Sequence, residues 1–250
     1  MLARRNLLRP AARLRRSRRV GAGAGTGAGR LWLFDLDNTL HNTSHAIFPR
    51  IDAGMTRAVE QALGVDTATA NALRKEYWQR YGATVIGLVK HHGIDADEFL
   101  RMSHDFDVRP LIRSESGLAA KLRRLPGRKV LLTNAPYHYA RAVLRHMGVL
   151  RQFESLWSIE HTRWHGGFRP KPSPALLRHV LAREGAAPRN TVLVEDTLAN
   201  LRGARRAGLR TVHVFHPGTP FASGLRQRPS YVDLRVNSVS ELLLSRRPLR

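Results

Sequence analysis

The rhythm of apolar positions changes twice along the chain. Residues 1–29 hold no sustained apolar period and read as an arginine-rich, disordered leader that ends in the flexible run Gly21–Gly29. That run precedes the first apolar segment, and its spacing never satisfies a dinucleotide-binding glycine loop. Leu31-Trp-Leu-Phe34 is a short apolar run that stops at Asp35, which is the pattern of a fully buried parallel strand. The next period is helical. Ile47, Ile51, Met55, Val59 and Leu63 share one helix face, and Gly64 ends that helix. Further helices are predicted at Ala68–Tyr81, Thr84–His92 and Asp95–His104, the last with Asp95 as N-cap and Glu98 three residues on. No strand pattern interrupts residues 46–108.

Beyond Pro110 the two periods alternate. A helix over Ser114–Arg124 leads to a strand at Lys129–Thr133, and a helix over Tyr137–His146 leads to a strand near Leu156–Ile159. A helix over Ser173–Glu184 then precedes the strand Thr191–Glu195, the helix Leu198–Ala207 and the strand Thr211–Phe215. Residues 225–250 read as one more strand and a terminal helix. Strands that alternate with helices predict an α/β fold with a doubly wound parallel sheet. The helical block is then an insertion after the first strand.

In open parallel sheets, ligands bind at the carboxyl ends of the strands. Four groups of polar residues fall at or beside such ends. Asp35 and Asp37 follow the first strand, Thr133 and Asn134 end the second, and Glu195 and Asp196 close a later one. Lys171 sits between two prolines just before a helix. Together they are the parts of metal-assisted phosphoryl transfer. A carboxylate such as Asp35 can attack phosphorus and form an acyl phosphate. Attack by an anion on a phosphate dianion needs a cation and a lysine to screen it. Mg²⁺ prefers oxygen ligands, which Asp35, Asp196 and the backbone carbonyl of Asp37 can supply. Asp37 is then the acid that protonates the leaving alkoxide and the base that activates water, a role for which a raised pKa is expected. Thr133 and Asn134, ahead of a helix N-terminus, suit phosphate oxygens.

Charge narrows the partners. Lys and Arg outnumber Asp and Glu 42 to 19, a formal net charge of +23, and nine of the arginines lie in the first 30 residues. The rest of the chain, with 33 basic against 19 acidic residues, still carries +14 and favours anionic partners. With no cysteine there is no disulfide, thiolate nucleophile or cysteine metal site. No run of 18 apolar residues exists for a membrane span, and the N-terminus lacks the apolar core of a secretory signal. A cytoplasmic protein is expected.

The signature Asp35-x-Asp37-x-Thr39, followed by Thr133, Lys171 and Glu195-Asp196, resembles the haloacid dehalogenase-like hydrolase superfamily from Leu31 to about Phe215. The resemblance implies a Rossmann-like core over 31–45 and 110–250, a helical cap over 46–109, Mg²⁺ and an aspartyl-phosphate intermediate. Tyr81-Gly-Ala-Thr84, the stretch Leu88–Leu100, Leu125–Val130 and Lys171-Pro-Ser-Pro174 are similar to the pyrimidine 5′-nucleotidase subfamily, which implies a nucleoside monophosphate as substrate. In that family, Asp or Gly often stands at the position of Glu195, and Asp is common at that of Asn200.

Other signals carry less. His161 and His165 have metal-like spacing without a third ligand, and His91 and His92 sit at a helix end where positive charge suits the dipole. Tyr77 and Trp78 read as core of the helical block. A dehalogenase has no alkoxide to protonate and no need of Asp37. A sugar phosphatase or phosphomutase shares the chemistry. A nucleic-acid-binding protein is suggested by charge alone, and no recognition motif accompanies it.

Overall fold

The computed structural model describes residues 12–14, 29–164, 166–215 and 228–244. Most of the expected leader, His165 and the last six residues lie outside the described residues. Within the leader, Ala12–Arg13 forms a two-residue strand, β1. The other strands are β2 (Leu31–Phe34), β3 (Arg128–Leu132), β4 (Ser155–Trp157), β5 (Arg163–Trp164), β6 (Gly167–Phe168), β7 (Thr191–Glu195), β8 (Arg210–Val214) and β9 (Leu234–Val236). One sheet runs in the order β1-β4-β3-β2-β7-β8-β9, and β5 and β6 form a separate ribbon. Every pairing in the large sheet is parallel except β1 with β4. The doubly wound α/β fold expected from the alternation is the one that forms.

Side-chain alternation on the strands divides the core. Trp32 and Phe34 face one apolar layer with Leu131, Val192 and Val194, while Leu31 and Leu33 face the other with Val130, Leu132 and Leu193. Helices α5 (Leu118–Arg124), α6 (Tyr137–His146) and α9 (Val239–Leu244) close the first layer. Helices α7 (Pro174–Glu184) and α8 (Leu198–Arg206) close the second. All four β2 residues are at most 2% exposed. A polar side chain therefore has no place on β2 until the strand ends, at Asp35.

The far side of the sheet is fastened by a buried acid. Glu184, at the end of α7, accepts hydrogen bonds from Ser155 Oγ at 2.7 Å, Trp157 Nε1 at 3.0 Å and Arg128 at 2.8 Å. These link α7 to β3 and β4.

Between β2 and α5, the helices α1 (Ile47–Leu63), α2 (Thr67–Tyr81), α3 (Thr84–His92) and α4 (Ala96–Ser103) pack around an apolar cluster that includes Val59, Tyr77, Leu88 and Phe99. The expected signals at Gly64 and Asp95 hold, and Asp66 adds a cap that starts α2 at Thr67 instead of Ala68. Gly64 ends α1 in the left-handed region at φ 65°, and the Asp66 and Asp95 side chains accept from Thr69 and Glu98 N–H to start α2 and α4. At Gly54 a Cβ would stand 2.4 Å from Ser103 O, so α1 and α4 meet more closely than any side chain would allow. The two connections into the block run side by side, with His41 bridged to Ser114 and Asn42 N donating to Arg113 O at 2.8 Å.

Three expectations need correction. Helix α5 starts at Leu118 instead of Ser114, because Gly117 is left-handed at φ 68° and the Glu115 carboxylate turns away to accept from Val239 and Ser240 N–H ahead of α9. Strand β4 stops at Trp157, because Ser158 and His161 cap a short 3₁₀ turn over Ile159–Thr162. Trp78 is 50% exposed, whereas its neighbour Tyr77 is buried in the helical block.

Truncating Leu33 to Ala is expected to cost about 2–5 kcal/mol in denaturant unfolding. Trp78→Ala is expected to change stability by no more than about 0.5 kcal/mol. Equal costs at the two positions would contradict this division of buried and exposed apolar groups.

Candidate active site

Register brings the chemistry together. Phe34 on β2 stands level with Leu131 on β3 and Val194 on β7, so the three strands end at the same height. Asp35, Thr133 and Glu195-Asp196 leave the sheet side by side there, and Asp35 N–H continues the ladder to Val194 O at 3.0 Å. Lys171 arrives from the loop ahead of α7. Its Nζ lies 2.6 Å from Asp35 Oδ1 and 2.7 Å from Glu195 Oε2, and the side chain is only 3% exposed.

The loop that carries Lys171 is held from two directions. The Asn134 side chain accepts from Lys171 N–H at 3.0 Å and donates to Lys171 O at 3.1 Å, a reciprocal pair of bonds on one residue. On the other side α8 comes close at Gly203, where a Cβ would lie 2.4 Å from Pro172 O. Asn134 was expected on substrate phosphate. Its side-chain amide is instead occupied at both ends by the lysine backbone. Thr133 Oγ1 accepts from Ala135 N–H at 3.0 Å, which leaves its own proton to donate.

Asp35, Glu195 and Asp196 each offer a carboxylate oxygen within 4.8 Å of the others, and all three residues are buried. Like charges at that spacing repel by roughly 3 kcal/mol per pair at an effective dielectric of ~20. One ammonium cannot balance three carboxylates. Burial, with Glu195 beside it, pushes Asp35 up to about 7 against the pull of Lys171. Burial also raises Glu195 to about 7 and Asp196 to about 6. A hard, all-oxygen donor set with surplus negative charge fits a divalent cation. His213 fixes the backbone of that set. Its Nε2–H donates to Asp196 O at 3.0 Å, and burial holds the ring neutral with its pKa lowered to about 4.

Asp37 has the opposite surroundings. Its Oδ1 accepts from Tyr139 O–H at 2.7 Å and Thr43 O–H at 3.0 Å, with His41 Nε2 at 3.2 Å. Burial raises its pKa, but the His41, Tyr139 and Thr43 hydrogen bonds outweigh burial and hold it below the ordinary carboxylate value. The raised pKa expected from a crowded acidic pocket is therefore corrected: the crowding falls on Asp35, and Asp37 faces donors. The intervening turn explains how. Asn38 sits in the left-handed region at φ 58°, and its Oδ1 accepts from Thr43 N–H, Ser44 N–H and Ser44 O–H, which folds residue 43 back onto Asp37. Thr39 O–H reaches Asp35 Oδ2 at 3.4 Å.

His41, Thr43 and Tyr139 were not singled out as site residues from the sequence. Glu195 was, by its place beside Asp196 at a buried strand end, but without an assigned role. Asn200 lies in the first turn of α8 with its N–H on Thr197 O at 3.0 Å. His161 is buried and caps the turn after β4.

Residues 30–208 match the family of haloacid dehalogenase-like hydrolases. The chain belongs to that family. It is 26% identical over 201 residues to phosphate metabolism protein 8 of Saccharomyces cerevisiae, a match covering 76% of this chain and 62% of that protein. It is 29% identical to a 5′-nucleotidase of Pseudomonas aeruginosa (73% and 80% covered) and 26% identical to phosphoglycolate phosphatase 1 of the same organism (77% and 73%). The chain thus spans less than two thirds of the yeast relative. Among solved structures, CbbY of Rhodobacter sphaeroides in complex with phosphate superposes with a TM-score of 0.59 at 22% identity, covering 86% of this chain and 96% of that one.

The raised carboxyl pKa values set a pH dependence. Between about pH 4 and pH 7 the folded Asp35 keeps a proton that the unfolded chain releases, so stability falls as pH rises through that window and stays lowered above it. With chelator present at pH 8, Asp35→Asn is expected to melt a few degrees above the wild type, a gain of about 1–2 kcal/mol. The gap should close toward pH 4. A variant that melts no higher at pH 8 would mean that Lys171 alone neutralises the cluster.

Proposed function

We propose that the chain is a Mg²⁺-dependent phosphatase that cleaves phosphate monoesters through a phosphorylated Asp35, with pyrimidine nucleoside 5′-monophosphates as its substrates. The observation that carries this reading is the contact of Lys171 Nζ with both Asp35 and Glu195, inside a buried set of three carboxylates. Asp35, Asp196 and Glu195, with the backbone carbonyl of Asp37, would hold Mg²⁺. When bound, the ion offsets their charge and that of the phosphoryl oxygens.

Asp35 attacks phosphorus as the bond to the ester oxygen breaks, and Asp37 gives its proton to the departing alkoxide. Asp37 then takes a proton from the water that hydrolyses the aspartyl phosphate. The Thr133 hydroxyl and the backbone at the start of α6 face the phosphoryl oxygens, and Lys171 neutralises Asp35 and its phosphate. The donors on Asp37 share one oxygen, Oδ1, which turns Oδ2 toward the proton transfer. A lowered pKa makes Asp37 a strong acid once protonated, and the negative charge of an arriving phosphate favours that protonation. The helices α1–α4 act as the cap.

The nucleotide preference rests on the likeness of the helical block to pyrimidine 5′-nucleotidases and on the 5′-nucleotidase relative. The phosphoglycolate phosphatase relative supports a second reading, a small phosphorylated acid. Cytoplasmic location goes with either substrate, and no described helix is long and apolar enough to cross a membrane. Phosphate release from UMP, CMP, 2-phosphoglycolate and sugar phosphates separates the readings. A kcat/KM for UMP or CMP at least about tenfold above that for 2-phosphoglycolate is expected, lost in Asp35→Asn and in EDTA. The reverse order would favour the glycolate reading, and an isomerised sugar phosphate a mutase. Equal turnover by Asp35→Asn would end the mechanism.

Tyr139 offers a separate test. In Tyr139→Phe, kcat on an alkyl phosphate is expected to fall about 10–100-fold, as general-acid assistance is lost. With p-nitrophenyl phosphate, whose leaving group needs no proton, the loss should stay below about threefold. Equal losses on both substrates would refer the effect to folding.

A further inference from the structure

A concavity lies against the Lys171 loop. It is a groove of about 570 Å³ formed by Tyr81 at the end of α2, Phe168 and Arg169, the loop Pro170–Pro174, and Arg202 and Arg206 on α8. None of Asp35, Asp37, Thr133, Glu195 or Asp196 lines it. An occupant would touch Lys171 and the loop that carries it without meeting the carboxylates or Thr133.

The lining holds no carboxylate. Arg169, Arg202 and Arg206 are exposed, and among the described residues neither Arg169 nor Arg206 has an acidic partner. All 19 acidic residues fall inside the described segments, so no Asp or Glu from elsewhere in the sequence can supply one. Arg74, Arg109, Arg128 and Arg205 are paired with Asp52, Asp107, Glu184 and Asp233. What sets the groove apart is that three arginines line one concavity together with no acid among them. The rim adds two more cations, Lys90 over the Tyr81 ring at 5.3 Å and Arg163 over Phe168 at 5.6 Å, while Arg80, over Tyr81 at 5.4 Å, is paired with Glu76 at 4.0 Å.

The geometry also selects among anions. Guanidiniums bind phosphate oxygens in pairs and favour them over other surface anions. Arg202 and Arg206 are one helical turn apart, about 6 Å along α8, with Arg169 facing them from the loop. That spread suits several linked phosphates better than one. The two rings beside the groove already carry cations, so they offer no platform for a base. Single-stranded nucleic acid, which binds largely through such stacking, is disfavoured.

We propose that this groove binds condensed phosphates, either free tripolyphosphate or the tail of a nucleoside triphosphate. In doing so it ties Tyr81 of the helical block to α8 of the sheet. Of the residues given a role in the phosphatase reading only Lys171 lines the groove, and the proposal does not depend on that reading.

Calorimetric titration tests it on the full chain carrying Asp35→Asn, in EDTA, with tripolyphosphate, ATP, orthophosphate and a single-stranded RNA oligonucleotide as separate probes. Tripolyphosphate, ATP or both should bind more tightly than orthophosphate. Equal affinity for the two would assign the site to the phosphate chain alone, and tighter ATP would add the nucleoside. The pair Arg169→Gln and Arg206→Gln should weaken binding at least about tenfold. The control pair Arg123→Gln and Arg124→Gln, exposed on α5, should change it less than about twofold. Melting curves on each variant verify folding. The proposal is overturned by absence of condensed-phosphate binding, by equal loss in both pairs, or by RNA binding that the groove pair abolishes while condensed phosphates bind no better than orthophosphate.

Discussion

One buried ammonium organises the molecule. Lys171 is in ion-pair contact with an acid 136 residues earlier and another 24 residues later, at 2.6 and 2.7 Å. Withdrawing such charges from water costs several kcal/mol per ion unless the geometry is held tightly. The surroundings supply that rigidity. Asn134 grips the Lys171 peptide from the end of β3, Ser173 caps α7 immediately after it, and Gly203 admits α8 against the loop. The apolar strands end at one height, which makes this the place where such a group can be gathered.

Two carboxylates separated by a single residue are driven in opposite directions. Asp35 is crowded by acids and buried, so its charged form is disfavoured and an external cation is called for. Asp37 meets three donors on one oxygen, so its charged form is favoured. Pairs of titratable groups pushed apart by their environments mark a division of chemical labour. Here a single left-handed residue, Asn38, separates the environments by turning the chain back on itself.

The sheet was readable because β2 is an unbroken apolar run and β3, β7 and β8 hold apolar residues among polar ones, and three of the four end in chemistry. The helices of the insertion were readable from their period and from Gly64 and Asp95 at their ends. What escaped is nonlocal. Tyr139 reaches Asp37 across 102 residues, and nothing in its neighbourhood distinguishes it from a core tyrosine. Helix α6 begins at Pro136 without a capping side chain, and Glu160 accepts from Tyr137 N–H from 23 residues downstream. Glu115 serves α9, 124 residues away. Strand β1 is two residues long and gains its place only by pairing with β4. The direction of the Asp37 shift was misread because it depends on which acids face one another, and that requires coordinates.

The paired connections at His41–Asn42 and Arg113–Ser114 form a double-stranded neck between the helical block and the sheet. His41 belongs to that neck, and Thr43 follows two residues later. Both touch Asp37 Oδ1. Any swing of the block has its pivot in the segment that sets the proton affinity of this carboxylate. Access to the cleft and readiness to move a proton are thereby geared to each other by a few ångströms of shared backbone.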